Sequence, residues 1–241
     1  MKSLLIDVGN TSCKYAVSRD GHLLSCRRNT REDIAQSVAA LLNGDRPDII
    51  AISSVRGGEA LYREALSSLC GRLIILNSET PLPIKLDYGT PQTLGADRIA
   101  AAVAANAIFR NEDVLIFDFG TAITVDRLTA DGVFAGGNIS IGLKSRLQAL
   151  HQLTARLPEV EPSECPPARL GKSTGEALVC GAVSGIIFEV SGYIESYPEH
   201  KIVFSGGDSI FFAKRMKNPI FADYNLVLKG LALIAEYNAQ I

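Results

Sequence analysis

The chain has no excess of positive charge, no clustered cysteines or histidines and no long unbroken apolar run, and each absence removes a class of function. Its 241 residues include 24 basic and 26 acidic side chains, for a net charge of -2. Nothing here invites nucleic acid, and no polybasic block suits a membrane surface. The five cysteines, Cys13, Cys26, Cys70, Cys165 and Cys180, are odd in number, scattered and never spaced C-x-x-C. Reduced thiols in a cytoplasmic protein are the expectation. His22, His151 and His200 stand apart from one another and from the cysteines, which argues against a sequence-encoded zinc site. Leu4-Leu5-Ile6 meets Asp7 after three apolar residues, too short for a signal-peptide core. The most apolar long stretch, Ala177 to Ile194, is interrupted by Glu189 and by glycines and serines, so it reads as a buried helix and not a span. A Walker A loop is missing too. Gly171-Lys172-Ser173 resembles its tail, but the first glycine would fall on Pro166 and no strand precedes it.

What is present is an ordinary globular composition, 47% hydrophobic and 21% charged, long enough for one large or two small domains. The chain also repeats itself. Lys2 to Ile6 is an apolar run ending in Asp7-Val8-Gly9-Asn10-Thr11, and Val114 to Phe117 is another ending in Asp118-Phe119-Gly120-Thr121-Ala122. Extended-looking runs follow, Lys14 to Ser18 and Thr124 to Leu128. Turns come next, Arg19-Asp20-Gly21 and Ala130-Asp131-Gly132, and then a third short strand. The two aspartates are 111 positions apart, the mark of a duplication and not of a short-period solenoid.

Helical patterns follow each strand triple. Thr30 to Asp33 resembles a capping box before Ile34, Val38, Leu41 and Leu42. Leu143 to Leu153 carries Leu143, Leu147, Leu150 and Leu153. Strands return at Asp48 to Ser53 and at Lys201 to Phe204, the second followed by the glycine turn Ser205-Gly206-Gly207-Asp208 and a helix. The pattern predicts two α/β domains with mixed sheets, strands one to three antiparallel and later ones parallel. The boundary is expected near residue 112, giving domains 1–112 and 113–241. The last helix, about Asn225 to Asn238, is expected to lie back across the first half.

A strand-end carboxylate followed by glycine sets a charge beside a tight backbone approach, where phosphate can reach main-chain N–H groups. Asn10 and Thr11 add donors, Lys14 adds a positive charge, and the aspartate can hold Mg²⁺ directly or through water. One such turn alone is more simply a hairpin. Two copies at matching places, with Ser205 to Asp208 where a nucleoside clamp is needed, favour a nucleotide gripped by both turns.

These residues carry a family resemblance. Asp7-Val8-Gly9-Asn10-Thr11 with Lys14, Tyr88-Gly89-Thr90-Pro91, Leu94-Gly95-Ala96-Asp97-Arg98, Asp118-Phe119-Gly120-Thr121-Ala122, Gly136-Gly137 on to Gly142, Leu153 to Pro158, Thr174 to Gly181 and Ser205 to Asp208 resemble type III pantothenate kinases, in the family's order and over nearly the whole chain. The resemblance implies duplicated ribonuclease H-like domains of the actin-like ATPase (ASKHA) fold and the ATP-dependent phosphorylation of pantothenate to 4′-phosphopantothenate, the first step of coenzyme A biosynthesis. It also implies ATP, Mg²⁺ and a monovalent cation (K⁺ or NH₄⁺), a homodimer, and a cytoplasmic location without nucleic acid or membrane. The chain departs from the family at Ile141, where a proline is frequent, and at Ile123, where threonine is.

By the same resemblance Asp97 is the base that takes the proton of the substrate hydroxyl, and its place at the start of a helix from about Ile99 to Phe109 also suits a dipole-stabilised carboxylate. Tyr88, Gly95, Ala96, Asp97, Arg98 and Thr174 contact pantothenate, Arg98 through its carboxylate and Thr174 reaching into a partner subunit's site. Asp7, Val8, Gly9, Asn10, Thr11, Ser12, Cys13, Lys14 and Thr121 bind ATP. Asp118 holds the monovalent cation or, as the alternative, Mg²⁺, and Asp7 serves Mg²⁺. Simpler alternatives stay open for several of these: a surface helix arginine at 98, a packed tyrosine at 88, an exposed strand lysine at 14, an N-cap at Thr174. The apolar segment Gly175 to Ile194, with Gly181, Ser184 and Gly185, suits a dimer interface or a core helix equally. The rivals for the whole chain are another small-molecule kinase or phosphohydrolase of the same fold, which leaves Leu94 to Arg98 unexplained, and a catalytically silent regulator. His151 and Glu159 to Arg169, a Pro- and Glu-rich loop, carry no assigned role.

Overall fold

The computed structural model describes residues 1–29, 34–165 and 169–241. The capping box expected at Thr30 to Asp33 lies outside the described residues. The chain resolves into two compact units.

The first unit comprises Met1–Asn111, Leu128–Gly136 and Asn225–Ile241. Its centre is β1 (Lys2–Val8), buried on both faces from Ser3 onward, as befits a central strand with no polar face to show. β2 (Cys13–Arg19) and β3 (His22–Asn29) run antiparallel beside it, while β4 (Ile49–Ser54) and β5 (Arg72–Ile75) extend the other side in parallel, in the order β3-β2-β1-β4-β5. Side chains alternate between faces along a strand. Leu4, Ile6 and Val8 join Ile50 and Ile52 in a core with Val38 and Leu42 of α1 (Ile34–Leu42) and Leu66 of α2 (Glu59–Leu66). The intervening positions, Leu5 and Ala51 among them, are equally buried. Against the sheet lie α3 (Ala96–Ile108) and α7 (Leu226–Ala239). These two helices approach closely because α3 is alanine-rich and α7 offers Gly230. A Cβ there would stand 1.8 Å from the Ala100 carbonyl oxygen.

The second unit comprises Glu112–Arg127 and Gly137–Tyr224. The second sheet runs β11 (Ile220–Ala222), β10 (Lys201–Gly206), β7 (Val114–Phe119), β8 (Ala122–Leu128), β9 (Val133–Ile141), β6 (Lys85–Leu86). Phe117 and Phe119 each pack at a steep angle against the Phe204 ring in its core, which α4 (Leu143–Gln152) and α5 (Thr174–Ser196) complete. By length and composition α5 could cross a membrane, yet half of its most apolar window is buried in the protein itself. Glu189, the charge that breaks its apolar pattern, is ion-paired with Arg146 of α4. Leu143 and Leu147 point into the core, whereas Leu153 lies past the end of α4 and is 84% exposed.

The cysteines correct one expectation. Cys165 and Cys180 form a disulfide, with Cα atoms 5.6 Å apart across a separation of 15 residues. Cys165 is buried in the same core cluster as the residues of α5, a proximity no local spacing encodes. Cys13, Cys26 and Cys70 are outside any disulfide.

Candidate active site

The first strand tip is a tight connection between β1 and β2, closed by Gly9 N–H donating to the Ser12 carbonyl at 3.0 Å. Asp7 sits in register with Lys14 across the antiparallel pair, and Lys14 in turn with Arg28 on β3. Asp7 is buried, Val8 and Cys13 anchor the turn in the core, and Asn10 and Thr11 are exposed at its crest. Two arginines brace it. Arg28 Nε donates to Ser12 Oγ at 2.9 Å, and Arg56 Nη2 donates to the Asn10 carbonyl at 2.5 Å. Neither arginine was singled out in the sequence. The available signal for Arg56 was its place in a turn right after β4, before Gly57 and Gly58, both with positive φ.

The second tip is built of backbone. Gly120 N–H donates to the Ala122 carbonyl at 3.0 Å, and Gly142 N–H to the Thr121 carbonyl at 3.0 Å. Ser145 Oγ donates to the same Thr121 carbonyl at 2.9 Å. Asp118 is half-buried, and Thr121 is exposed. The Ser205 to Asp208 turn ends β10 and closes on this tip, Asp208 N–H donating to the Phe119 carbonyl at 3.2 Å.

Asp97 and Arg98 open α3, with Gly95 as its N-cap. The Asp97 carboxylate lies where a side chain on residue 95 would be: a Cβ there would meet Oδ1 at 2.5 Å. Oδ1 accepts the Arg98 N–H at 2.8 Å. Burial pushes the Asp97 carboxyl above the ordinary aspartate range, outweighing that hydrogen bond and the adjacent Arg98 charge. Arg98 is not a surface helix residue. It is 5% exposed, with its guanidinium 5.7 Å from the Tyr88 ring centre and 5.6 Å from that of Phe134. The two rings meet edge to face at 6.0 Å. Ala96 is buried beside them along the helix start. Asp97, Arg98 and Tyr88 therefore share one locality in the first unit, and Phe134 joins them unforeseen.

Thr174 is the exposed first residue of α5. The N-cap is its neighbour Ser173, whose side chain accepts the Glu176 N–H, while Glu176 Oε2 takes the Lys172 N–H at 2.8 Å. Gly171-Lys172-Ser173 is therefore the lead-in to a helix capped at Ser173, with Glu176 reaching back one residue further, to Lys172.

A family model described as type III pantothenate kinase matches residues 3–196. A type III pantothenate kinase from Phocaeicola vulgatus is 39% identical over 248 residues, spanning 99% of this chain and 100% of the relative. The chain belongs to the type III pantothenate kinase family. Solved structures agree at the level of fold. The activator of 2-hydroxyisocaproyl-CoA dehydratase from Clostridium difficile, with bound ADPNP, superposes with a TM-score of 0.60 at 12% identity over 100% of this chain and 98% of its own. A ROK hexokinase from Thermus thermophilus gives 0.51 at 13% identity over 99% and 100%. The duplicated, actin-like α/β architecture expected from the sequence is thus the fold of this pantothenate kinase family member.

The strand-end carboxylates suit hard cations. Among the described residues no three histidine, cysteine or acidic side chains cluster as a metal cage. Single carboxylates at strand ends are hard oxygen donors of the kind that hold Mg²⁺ or K⁺ together with water and phosphate oxygens. Asp7 at the end of β1 and Asp118 at the end of β7 are such carboxylates.

Proposed function

We propose that this protein phosphorylates the primary hydroxyl of pantothenate with ATP, giving 4′-phosphopantothenate and ADP. The observation that carries the reading is the Asp97 carboxylate, desolvated at the start of α3 in the space Gly95 leaves open, with the buried Arg98 beside it. A base with a raised pKa accepts a proton more readily than an ordinary aspartate.

Pantothenate lies along Tyr88 and Gly95 to Arg98, its carboxylate taken by the Arg98 guanidinium and its hydroxyl by Asp97. Thr174 contributes from the partner subunit. The turn from Asp7 to Lys14 binds the nucleotide's phosphates, and Mg²⁺ held by Asp7 would neutralise charge on them, while Asp118 would hold the monovalent cation. As the acceptor oxygen bonds to the γ-phosphorus, its proton passes to Asp97 and the bond to the β-phosphate oxygen breaks, releasing ADP. Positioning and charge neutralisation do most of the work in such transfers.

The test is turnover of purified protein with pantothenate, ATP, Mg²⁺ and K⁺ beside a panel of other alcohols. Asp97→Asn is expected to lose about 10²–10⁴-fold in kcat, and wild-type turnover in that variant would remove Asp97 from its role. The wild-type acid limb is expected above the ordinary aspartate range, because only the ionised carboxylate acts. Stability follows the same sign. The folded-state pKa is raised above the unfolded one, so the folded state is penalised as pH rises through that interval and carries the full penalty above it. Asp97→Asn should therefore melt no lower than wild type at neutral pH, with any advantage vanishing below the ordinary aspartate pKa.

The active form is a homodimer in the cytoplasm, where both substrates reside. In that reducing compartment the Cys165–Cys180 pair is protected by burial. Supporting a second copy as partner, Leu150, Leu153 and Ile141 are exposed around a cavity of about 370 Å³ floored by Gly181 and Ala182. Exposed apolar groups of this kind mark association surfaces. Leu153→Glu should give monomers by sedimentation velocity, and an undisturbed dimer would exclude this face.

A further inference from the structure

Each strand tip contains a buried hydroxyl that the chemistry above leaves unused. Asp7 on β1 is in register with Ser53 on the parallel strand β4, and Asp118 on β7 is in register with Ser205 on the parallel strand β10. Residues in register on neighbouring strands project from the same face, so each serine stands beside a carboxylate. Two residues earlier the equivalent pairs are wholly apolar, Leu5 with Ala51 and Ile116 with Val203. Ser53 and Ser205 are both 0% exposed, and neither Oγ has a hydrogen-bond partner.

A buried hydroxyl left unpaired is destabilising, and alanine fits the same space without that cost. Other buried side-chain atoms in the described residues also lack partners, but only these two occupy equivalent places in the duplication. The same costly choice beside the acid of both halves points to a shared task. We propose that Ser53 and Ser205 are positioning residues that turn the neighbouring carboxylates, Asp7 and Asp118 respectively, toward the cations they hold. The proposal rests on the pantothenate kinase reading of the two tips. A serine rotates among staggered wells at little cost. Its O–H can donate to the carboxylate oxygen that the cation leaves free, fixing the direction of the other. Such outer hydrogen bonds around metal ligands set affinity about as strongly as the ligands' own placement.

The experiment compares full-length wild type, Ser53→Ala and Ser205→Ala. Binding of ADP with Mg²⁺ is followed by thermal shift without turnover, and the K⁺ concentration for half-maximal turnover is measured alongside KM and kcat. Ser53→Ala is expected to weaken Mg·ADP binding about tenfold, and Ser205→Ala to raise the K⁺ requirement about tenfold. Saturating kcat should stay within about twofold in both, and the unliganded melting temperature should not fall. Unchanged ligand and cation dependence in either variant overturns the shared role. So does a lowered unliganded melting temperature with an unchanged ligand response, which marks a merely structural serine. A wild type that shows no Mg·ADP shift brings down the kinase reading itself, and this proposal with it.

Discussion

The two strand tips descend from the same motif, yet they are built differently. At the first, side chains do the bracing: Arg28 and Arg56 hold the Ser12 hydroxyl and the Asn10 carbonyl, and Lys14 faces Asp7 across the strand pair. At the second, backbone meets backbone. A Cβ on Gly142 would stand 2.0 Å from the Gly120 carbonyl oxygen, and one on Gly206, at φ +87, 2.4 Å from that of Phe119. Gly9 at the first tip has its nearest neighbour, the Ser12 carbonyl oxygen, at 3.2 Å. A duplicated motif can thus diverge into a cationic turn suited to a polyanion and a close-packed turn whose geometry is set by absent side chains.

The contrast can be broken or sharpened by substitution. The largest effect belongs to the second tip. Gly142→Ala and Gly206→Ala should each destabilise the protein toward the upper end of the usual overpacking range of about 1–3 kcal/mol, Gly206 also suffering left-handed strain. Chemical denaturation measures this, and near-wild-type midpoints would show that the second tip is not close-packed. Arg56→Ala comes next. It should raise KM for ATP about tenfold, the worth of one hydrogen bond to a charged group, with kcat nearly unchanged and stability within about 0.5 kcal/mol. An unaltered KM would mean that Arg56 does not shape the phosphate turn. Gly9→Ala should be mildest for the fold, a shift of at most about 1 kcal/mol. If it unfolds the protein as readily as Gly142→Ala, the two tips are alike after all.

Much of the architecture was legible because it repeats locally. Apolar runs ending in Asp-x-Gly, followed by turn signals at like spacing, announce β1 to β3 and β7 to β9, and the stripe of Val38 and Leu42 announces α1. Less legible were elements too short to carry a period, such as β6 with two residues and β11 with three. Contacts between distant segments were invisible for the same reason. Arg28, Arg56 and Phe134 acquire meaning only once the chain has folded, and Cys165 and Cys180 are 15 residues apart with no local pattern to pair them. At Ser173 the local signal was present in Ser173 to Glu176, but the adjacent threonine drew the cap assignment by one residue.

The closing helix has a consequence for biosynthesis. α7 contributes Gly230 to the contact with Ala100 of α3, the helix whose first turn carries Asp97, and it belongs to the unit that also holds Asp7. On the ribosome that unit waits for α7 before its wall is whole, although β1 is made earlier, ahead of the second unit. Nascent chains stalled before residue 225 should remain open to proteolysis throughout their N-terminal hundred residues.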